Sequence, residues 1–175
     1  MRRMGLIAAL WAGATAASAA PLPEPIAKAD QGLLQCYAPN PTHKTCQSLA
    51  SYAQVDGAIL NRVVILLAPN PLIIMTATSP VQVAAGQVCG PIRSEDLAAA
   101  TFTIAGQPAT ADQTARLRQK LQASMAGLIG RKACMTYVAD GPALIAKSTI
   151  DGVAQPSANQ PVIWVSPAQG YTVGP

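Results

Sequence analysis

The chain is poor in charge and in aromatic residues. Only 11% of its 175 residues are charged, 4% are aromatic, and His43 is its single histidine. Because 50% of the residues are hydrophobic, the composition excludes a disordered chain, which combines little apolar content with high charge. A coiled coil, which needs many charged surface positions, is excluded as well. The length favours one globular domain.

The sequence also lacks the spacings of familiar catalytic and metal sites. No two cysteines have the C-x-x-C spacing, one histidine offers little to a zinc site, and no G-x-S-x-G elbow occurs. Several acidic residues stand in Asp-Gly turns or at a predicted helix start, where local structure accounts for them. These residues are Asp56, Asp140, Asp151, Glu95 and Asp96. We therefore predict no catalytic residue, no metal and no cofactor.

The first residues predict a secretory signal peptide over residues 1–19. Met1-Arg2-Arg3 begins the chain with positive charge, residues 5–14 form an apolar run, and Ala17-Ser18-Ala19 matches a cleavage motif. The prolines within residues 21–25 end the apolar segment well short of a membrane span. We expect cleavage near Ala20 and a periplasmic or secreted product.

The four cysteines agree with export, because an even number in a small exported domain predicts disulfides. Cys36 and Cys46 bracket Pro39-Asn40-Pro41, which can reverse the chain, so we favour this pair. Elimination then leaves Cys89 with Cys134. A cysteine nucleophile would instead need a free thiol close to His43.

Alternating and β-branched runs predict an antiparallel meander. Residues 45–54 and 59–67 flank Asp56-Gly57 and predict a hairpin. Turns are expected at Asn70-Pro71 and at Ser79-Pro80. The further predicted strands are residues 72–78, 81–83, 101–104, 134–138, 144–150 and 161–165.

One long amphipathic helix is predicted over residues 111–130. Thr110 and Gln113 match a capping box, and apolar residues including Leu117 and Leu121 recur at helical spacing. We therefore expect an α+β fold, in which the helix packs across one face of an antiparallel sheet of about five to seven strands, stapled by two disulfides. The globular domain would span residues 33–175, after a flexible Pro/Ala-rich leader at 20–32.

The expected function is that of a non-enzymatic binding or protein-interaction module. Loss of Arg2 and Arg3 with the signal peptide would leave 10 basic and 8 acidic residues, a net charge of +2. The basic stretch 116–132 contains no aromatic residue for base stacking, so nucleic acid is not an expected partner. The expected partner is a protein or a small-molecule ligand of the cell envelope.

Two alternatives accompany this interpretation. The scarce aromatic residues could form a ligand surface, although core packing is their commoner role. Those considered are Tyr52, Tyr137, Trp164 and Tyr171. The other alternative is a small cell-envelope hydrolase whose active site uses residues too ordinary to recognise.

A short cysteine pair followed by long aliphatic strands, over about residues 33–90, resembles exported proteins of the invasion-associated locus B type. The resemblance implies a β-sandwich, and the predicted long helix departs from that pattern. No distinctive motif accompanies the resemblance, and no function is inferred from it.

Overall fold

The computed structural model describes residues 20–175, and most of its regular structure is β-strand. Its strands are β1 (Leu34–Tyr37), β2 (Thr45–Cys46), β3 (Ser48–Val55), β4 (Ala58–Pro69), β5 (Leu72–Ala84), β6 (Gln87–Pro91), β7 (Thr101–Ile104), β8 (Gln107–Pro108), β9 (Lys132–Asp140), β10 (Ala143–Ile150), β11 (Val153–Ala154), β12 (Gln160–Val165) and β13 (Thr172–Val173). Its α-helices are α1 (Ser94–Ala99) and α2 (Ala111–Met125), and short 3-10 helices occur at Ala27–Gln31, Pro156–Ala158 and Pro167–Gln169. The predicted signal peptide lies outside the described residues.

Eight antiparallel strands close into a barrel. Their order is β4-β3-β1-β12-β10-β9-β6-β5, and β5 pairs again with β4. β7 and β8 extend the sheet from β5, β11 pairs with β10, and β2 forms a separate parallel pair with β13. Because of this closure, each of the eight barrel strands has a neighbour on both sides over at least part of its length.

The predicted α+β fold is therefore wrong, and so is the β-sandwich that the family resemblance implies. The local predictions succeeded better, because the expected hairpin is β3 and β4 joined through Asp56-Gly57. The predicted turn at Ser79-Pro80 is wrong, since β5 continues through both residues and Pro80 lies opposite Leu60. Pro80 stands between the parts of β5 that pair with β7 and with β6. A missing N–H is tolerated where a strand has a neighbour on one side only.

Helix α2 begins as predicted but ends earlier. The capping box is confirmed: the Thr110 N–H donates to Gln113 Oε1 at 2.8 Å, and the Gln113 N–H donates to Thr110 Oγ1 at 3.3 Å. The helix ends at Met125, and residues 126–130 form turns in place of the predicted last turn and a half. Gly127, a poor helix former, falls just past this end.

Contrary to the prediction, this helix does not pack across the whole face of an open sheet but over one end of the barrel sheet. Leu117 and Leu121 are only partly buried, and they contact a small cluster made by Met75, Ala100 and Phe102. Met75 and Phe102 pair where β7 extends the sheet from β5. The helix therefore covers this extension, and the main core lies inside the barrel.

The segment 20–32, for which the composition predicts a flexible leader, packs into the main core. Leu22 and Ile26 are buried there, in the same cluster as Ile59 and Val83. The Leu22 N–H also donates to Asp30 Oδ2 at 2.7 Å. Because Ile59 and Val83 flank the β3–β4 and β5–β6 turns, this segment closes the barrel at the end where those turns lie.

Both predicted disulfides are present. Cys36 bonds Cys46 with a Cα–Cα distance of 5.4 Å, and Cys89 bonds Cys134 across β6 and β9 with a Cα–Cα distance of 4.1 Å. In the chain-entropy account, cross-links of this spacing stabilise the fold by about 3 and about 4 kcal/mol respectively. The second bridge ties together two neighbouring walls of the barrel.

Candidate ligand-binding cavity

The barrel encloses a cavity of about 680 Å³. Alternate residues of each strand point inward, and the surface that they present to the cavity is mainly apolar, although polar side chains such as Ser48, Ser79 and Ser148 stand among the aliphatic ones. The aliphatic wall residues include Ala50, Val63, Ala77, Val81, Val88 and Met135. Ser157 and Ala158, which are exposed, also line the cavity. The cavity therefore reaches solvent beside the segment between β11 and β12.

The inner end of the cavity is polar and is lined by Tyr37, Tyr52 and Tyr137. These three residues and the fully buried Gln35, to which they are hydrogen-bonded, are here called the tyrosine cluster. Gln35 and Tyr37 stand two residues apart on β1, so both point into the barrel, while Tyr52 comes from β3 and Tyr137 from β9. The three tyrosines line the cavity and also belong to, or pack on, the core cluster that contains Leu22. They form a floor between the cavity and the segment 20–32.

The hydroxyls of the tyrosine cluster converge on one amide oxygen. Tyr37 Oη and Tyr52 Oη each lie 2.9 Å from Gln35 Oε1, and Tyr137 Oη lies 3.2 Å from it. Tyr137 Oη is also 2.6 Å from Tyr37 Oη. Since a carbonyl oxygen has two lone pairs, Tyr37 and Tyr52 can donate to Gln35 while Tyr137 donates to Tyr37.

The hydroxyls of Tyr37 and Tyr52 are neutral at physiological pH. Burial, reinforced by the neighbouring tyrosines, raises the pKa of Tyr37 well above its ordinary value of about 10. Burial raises the pKa of Tyr52 in the same way, with Tyr137 contributing. These two hydroxyls are therefore hydrogen-bonding groups without charge.

Three buried side-chain polar atoms have no hydrogen-bond partner within residues 20–175: Nε2 of Gln35, Oδ1 of Asn61 and Nε of Arg118. Gln35 is fully buried and is hydrogen-bonded to the tyrosines of the cavity, and Asn61 stands in the cavity wall on β4, whereas Arg118 on α2 does not line the cavity. An unsatisfied buried polar group costs about 1–3 kcal/mol. This part of the interior therefore carries polar groups that packing alone does not explain.

A charged pair, Arg93 and Asp96, also lines the cavity. Arg93 Nε is 3.2 Å and 3.1 Å from the two carboxylate oxygens of Asp96, and Arg93 Nη2 is 2.5 Å from Oδ1. Asp96 is 8% exposed, and both residues line the cavity. Burial alone would raise the pKa of Asp96, but the hydrogen bonds and charge of Arg93 outweigh it and lower that pKa. The carboxylate is therefore ionised and matched by Arg93.

The residues considered for hydrolysis do not meet. His43 lies exposed in the loop closed by Cys36 and Cys46, and all four cysteines are disulfide-bonded. Asp151 pairs with Arg131 at 2.8 Å outside the cavity. A cysteine and histidine pair therefore does not form in this structure.

Some residues of the cavity were candidates from the sequence, and others were not. Tyr52 and Tyr137, for which core packing and a ligand surface were the two alternatives, pack in the main core and also line the cavity, while Tyr171 packs near the first disulfide. Gln35 and Tyr37 were not singled out. Their i, i+2 spacing indicates one shared strand face, but only closure of the barrel makes that face an interior.

Comparisons with known proteins add no relationship: no family model, no curated protein and no solved structure matches the chain. Within residues 20–175, no three His, Cys, Asp or Glu side chains are grouped so that they could hold a metal ion. Neither α1 nor α2 has the length and apolar character of a membrane-crossing helix.

Proposed function

We propose that this protein binds one small, mainly apolar molecule inside its β-barrel. The observation that carries the proposal is the 680 Å³ cavity, with aliphatic walls and a polar floor. Small-molecule sites have volumes of roughly 300–1,000 Å³ and combine apolar lining with a few placed polar groups. An eight-stranded barrel is just wide enough to hold one such ligand.

The floor is well suited to recognition because its side chains are held in place before a ligand arrives. Tyr37 and Tyr52 are both anchored to Gln35, and Tyr37 is anchored to Tyr137 as well. A site whose side chains are already ordered loses little conformational entropy on binding. Burial of apolar ligand surface against the walls makes the main favourable contribution to the free energy of binding, about 25 cal/mol per Å² of buried surface.

The polar groups of the cavity suit binding better than catalysis. A catalytic acid or base needs a pKa near the working pH. The pKa of Asp96 is lowered by Arg93, and the pKa values of Tyr37 and Tyr52 are raised, so all three move away from neutrality. These shifts favour a binding protein over the alternative of a cell-envelope hydrolase.

We also propose that the protein acts after export, in the periplasm or outside the cell. The pattern of residues 1–19 supports export, and the two disulfides are stable bonds in an oxidising compartment. The ligand would then be a molecule of the cell envelope or its surroundings.

A blocked cavity tests the proposed function. Ala77→Phe places a ring in the cavity wall, whereas Ala53→Phe on exposed β3 surface is the matched control. The neutral dye Nile red should bind the unaltered protein and Ala53→Phe saturably, one molecule per chain, and should bind Ala77→Phe at least about tenfold more weakly. Equal binding by both variants, or none by the unaltered protein, would contradict the proposal.

A further inference from the structure

The charged side chains that line the cavity already form an ion pair with each other. Among the residues that line it, Arg93 and Asp96 carry the charges, and they form a bidentate pair. Glu95 Oε1 also lies 3.6 Å from Arg93 Nε, so the guanidinium faces two carboxylates. A ligand carboxylate would compete with both for Arg93, and a ligand ammonium would compete with Arg93 for Asp96. Burying an ion without an opposite charge is strongly unfavourable.

The three tyrosine hydroxyls of the floor are matched in protons but not in lone pairs. Tyr37 and Tyr52 can direct their protons to Gln35 Oε1, and Tyr137 can donate to Tyr37 across the 2.6 Å contact. Gln35 Nε2 keeps unpaired protons, but Gln35 is fully buried and does not line the cavity. The oxygen lone pairs of Tyr52 and Tyr137, which lie 3.4 Å apart, then remain free to accept. Tyr137 is the half-buried member of the three, so its oxygen is the more accessible.

We infer that the ligand is an uncharged, mainly apolar molecule whose inner end carries a hydroxyl group, seated on the oxygens of Tyr137 and Tyr52. A hydroxyl can donate to these oxygens, whereas an ether or ketone would have to draw the Tyr137 proton away from Tyr37. Carboxylates and amines are excluded by the matched charges at Arg93 and Asp96. The inference rests on the proposed function and narrows its ligand class.

A series of molecules with the same alkyl chain tests this class. Binding of n-decanol, decanoate, decylammonium and decyl methyl ether to the whole mature protein is measured calorimetrically below micelle-forming concentrations. We expect n-decanol to bind tightest and the two ions to bind at least about tenfold more weakly. Decanoate or decylammonium binding as tightly as n-decanol would overturn the inference.

The dye measurement separates failure of this inference from failure of the proposed function. If Nile red binds in the cavity and n-decanol does not bind, the ligand class is wrong while the binding function stands. If neither molecule binds, both are wrong.

The proposed binding position of the ligand hydroxyl is tested with Tyr137→Phe, which keeps the aromatic ring and removes the phenolic oxygen. Affinity for n-decanol should fall about three- to tenfold, the usual value of one hydrogen bond, and affinity for decyl methyl ether should change less than about twofold. Tyr171→Phe, outside the cavity, is the control and should leave both affinities unchanged. An unchanged affinity of Tyr137→Phe for n-decanol, with the fold intact by circular dichroism, would overturn the proposed binding position.

Discussion

The hydroxyls of Tyr37 and Tyr137 lie 2.6 Å apart, although 100 residues separate them in the chain. Their strands, β1 and β9, are not neighbours, because β12 and β10 stand between them in the barrel. The contact therefore crosses the barrel interior. It joins two non-adjacent strands at the inner end of the cavity.

Gln35 should be the most important polar residue for stability. Gln35→Leu removes the amide oxygen that accepts from Tyr37 and Tyr52, leaving buried hydroxyls without their partner. We expect a loss of at least about 2 kcal/mol in the free energy of unfolding. Gln119→Leu, on the exposed surface of α2, should change it by less than about 0.5 kcal/mol in the same urea titrations. Equal small effects would mean that the tyrosine cluster does not hold the barrel walls together.

The Arg93 and Asp96 pair should make stability depend on acid pH. The pKa of Asp96 is lower in the folded protein than in the unfolded chain, where it is about 4. The ionised carboxylate therefore stabilises the fold above about pH 4, and this stabilisation is lost as the pH falls through the lower pKa of the folded protein. The difference in unfolding free energy between the unaltered protein and Asp96→Asn should therefore shrink as the pH falls below about 4.

The same pH series with Arg93→Gln as background identifies the cause. Without the guanidinium, the stabilisation that Asp96 contributes above about pH 4 should be lost, since burial, which raises the pKa, is then opposed only by the hydrogen bond from Ser79. A stabilisation of the same sign that persists in this background would show that Arg93 is not its source.

Alkaline pH should ionise the buried tyrosines only when the barrel opens. The raised pKa values of Tyr37 and Tyr52 mean that their stabilising contribution is present below about pH 10 and is lost as the pH rises through the higher folded values. The tyrosinate absorbance of Tyr37 and Tyr52 should therefore appear only together with loss of the β circular dichroism signal. Ionisation of all four tyrosines near pH 10 in a protein that stays folded would contradict this account.

Helix α2 should contribute modestly to stability. Leu121 is partly buried against the Met75 cluster, so Leu121→Ala should cost about 1–2 kcal/mol, less than a fully buried leucine, while exposed Lys120→Ala should cost less than about 0.5 kcal/mol. Denaturant titration of the two variants measures the difference. A loss above about 4 kcal/mol for Leu121→Ala would place the helix in the main core, contrary to the structure.

Local features of this fold could be predicted because their causes are local. The β3–β4 hairpin follows from Asp56-Gly57, the start of α2 follows from Thr110 and Gln113, and the first disulfide follows from a short proline-containing loop. Each of these depends on residues that are close in sequence.

Closure of the barrel depends instead on distant residues. Cys36 on β1 faces Ile163 on β12, and no pattern within either segment specifies the other as its neighbour. The cavity shares this origin, because Tyr37 and Tyr137 meet only once the intervening strands have curved into a barrel. The α+β sheet was predicted for the same reason, since strand patterns alone do not distinguish a sheet covered by a helix from a closed barrel.

The location of a bound ligand tests the central claim most directly. With isotopically labelled methyl groups, nuclear Overhauser effects between bound n-decanol and the protein should fall on inward residues such as Val63, Val88 and Met135. Val64, the neighbour of Val63 on the opposite face of β4, should show none. Effects confined to Val64 and other outward methyl groups would place the ligand outside the barrel and contradict a binding function for the cavity.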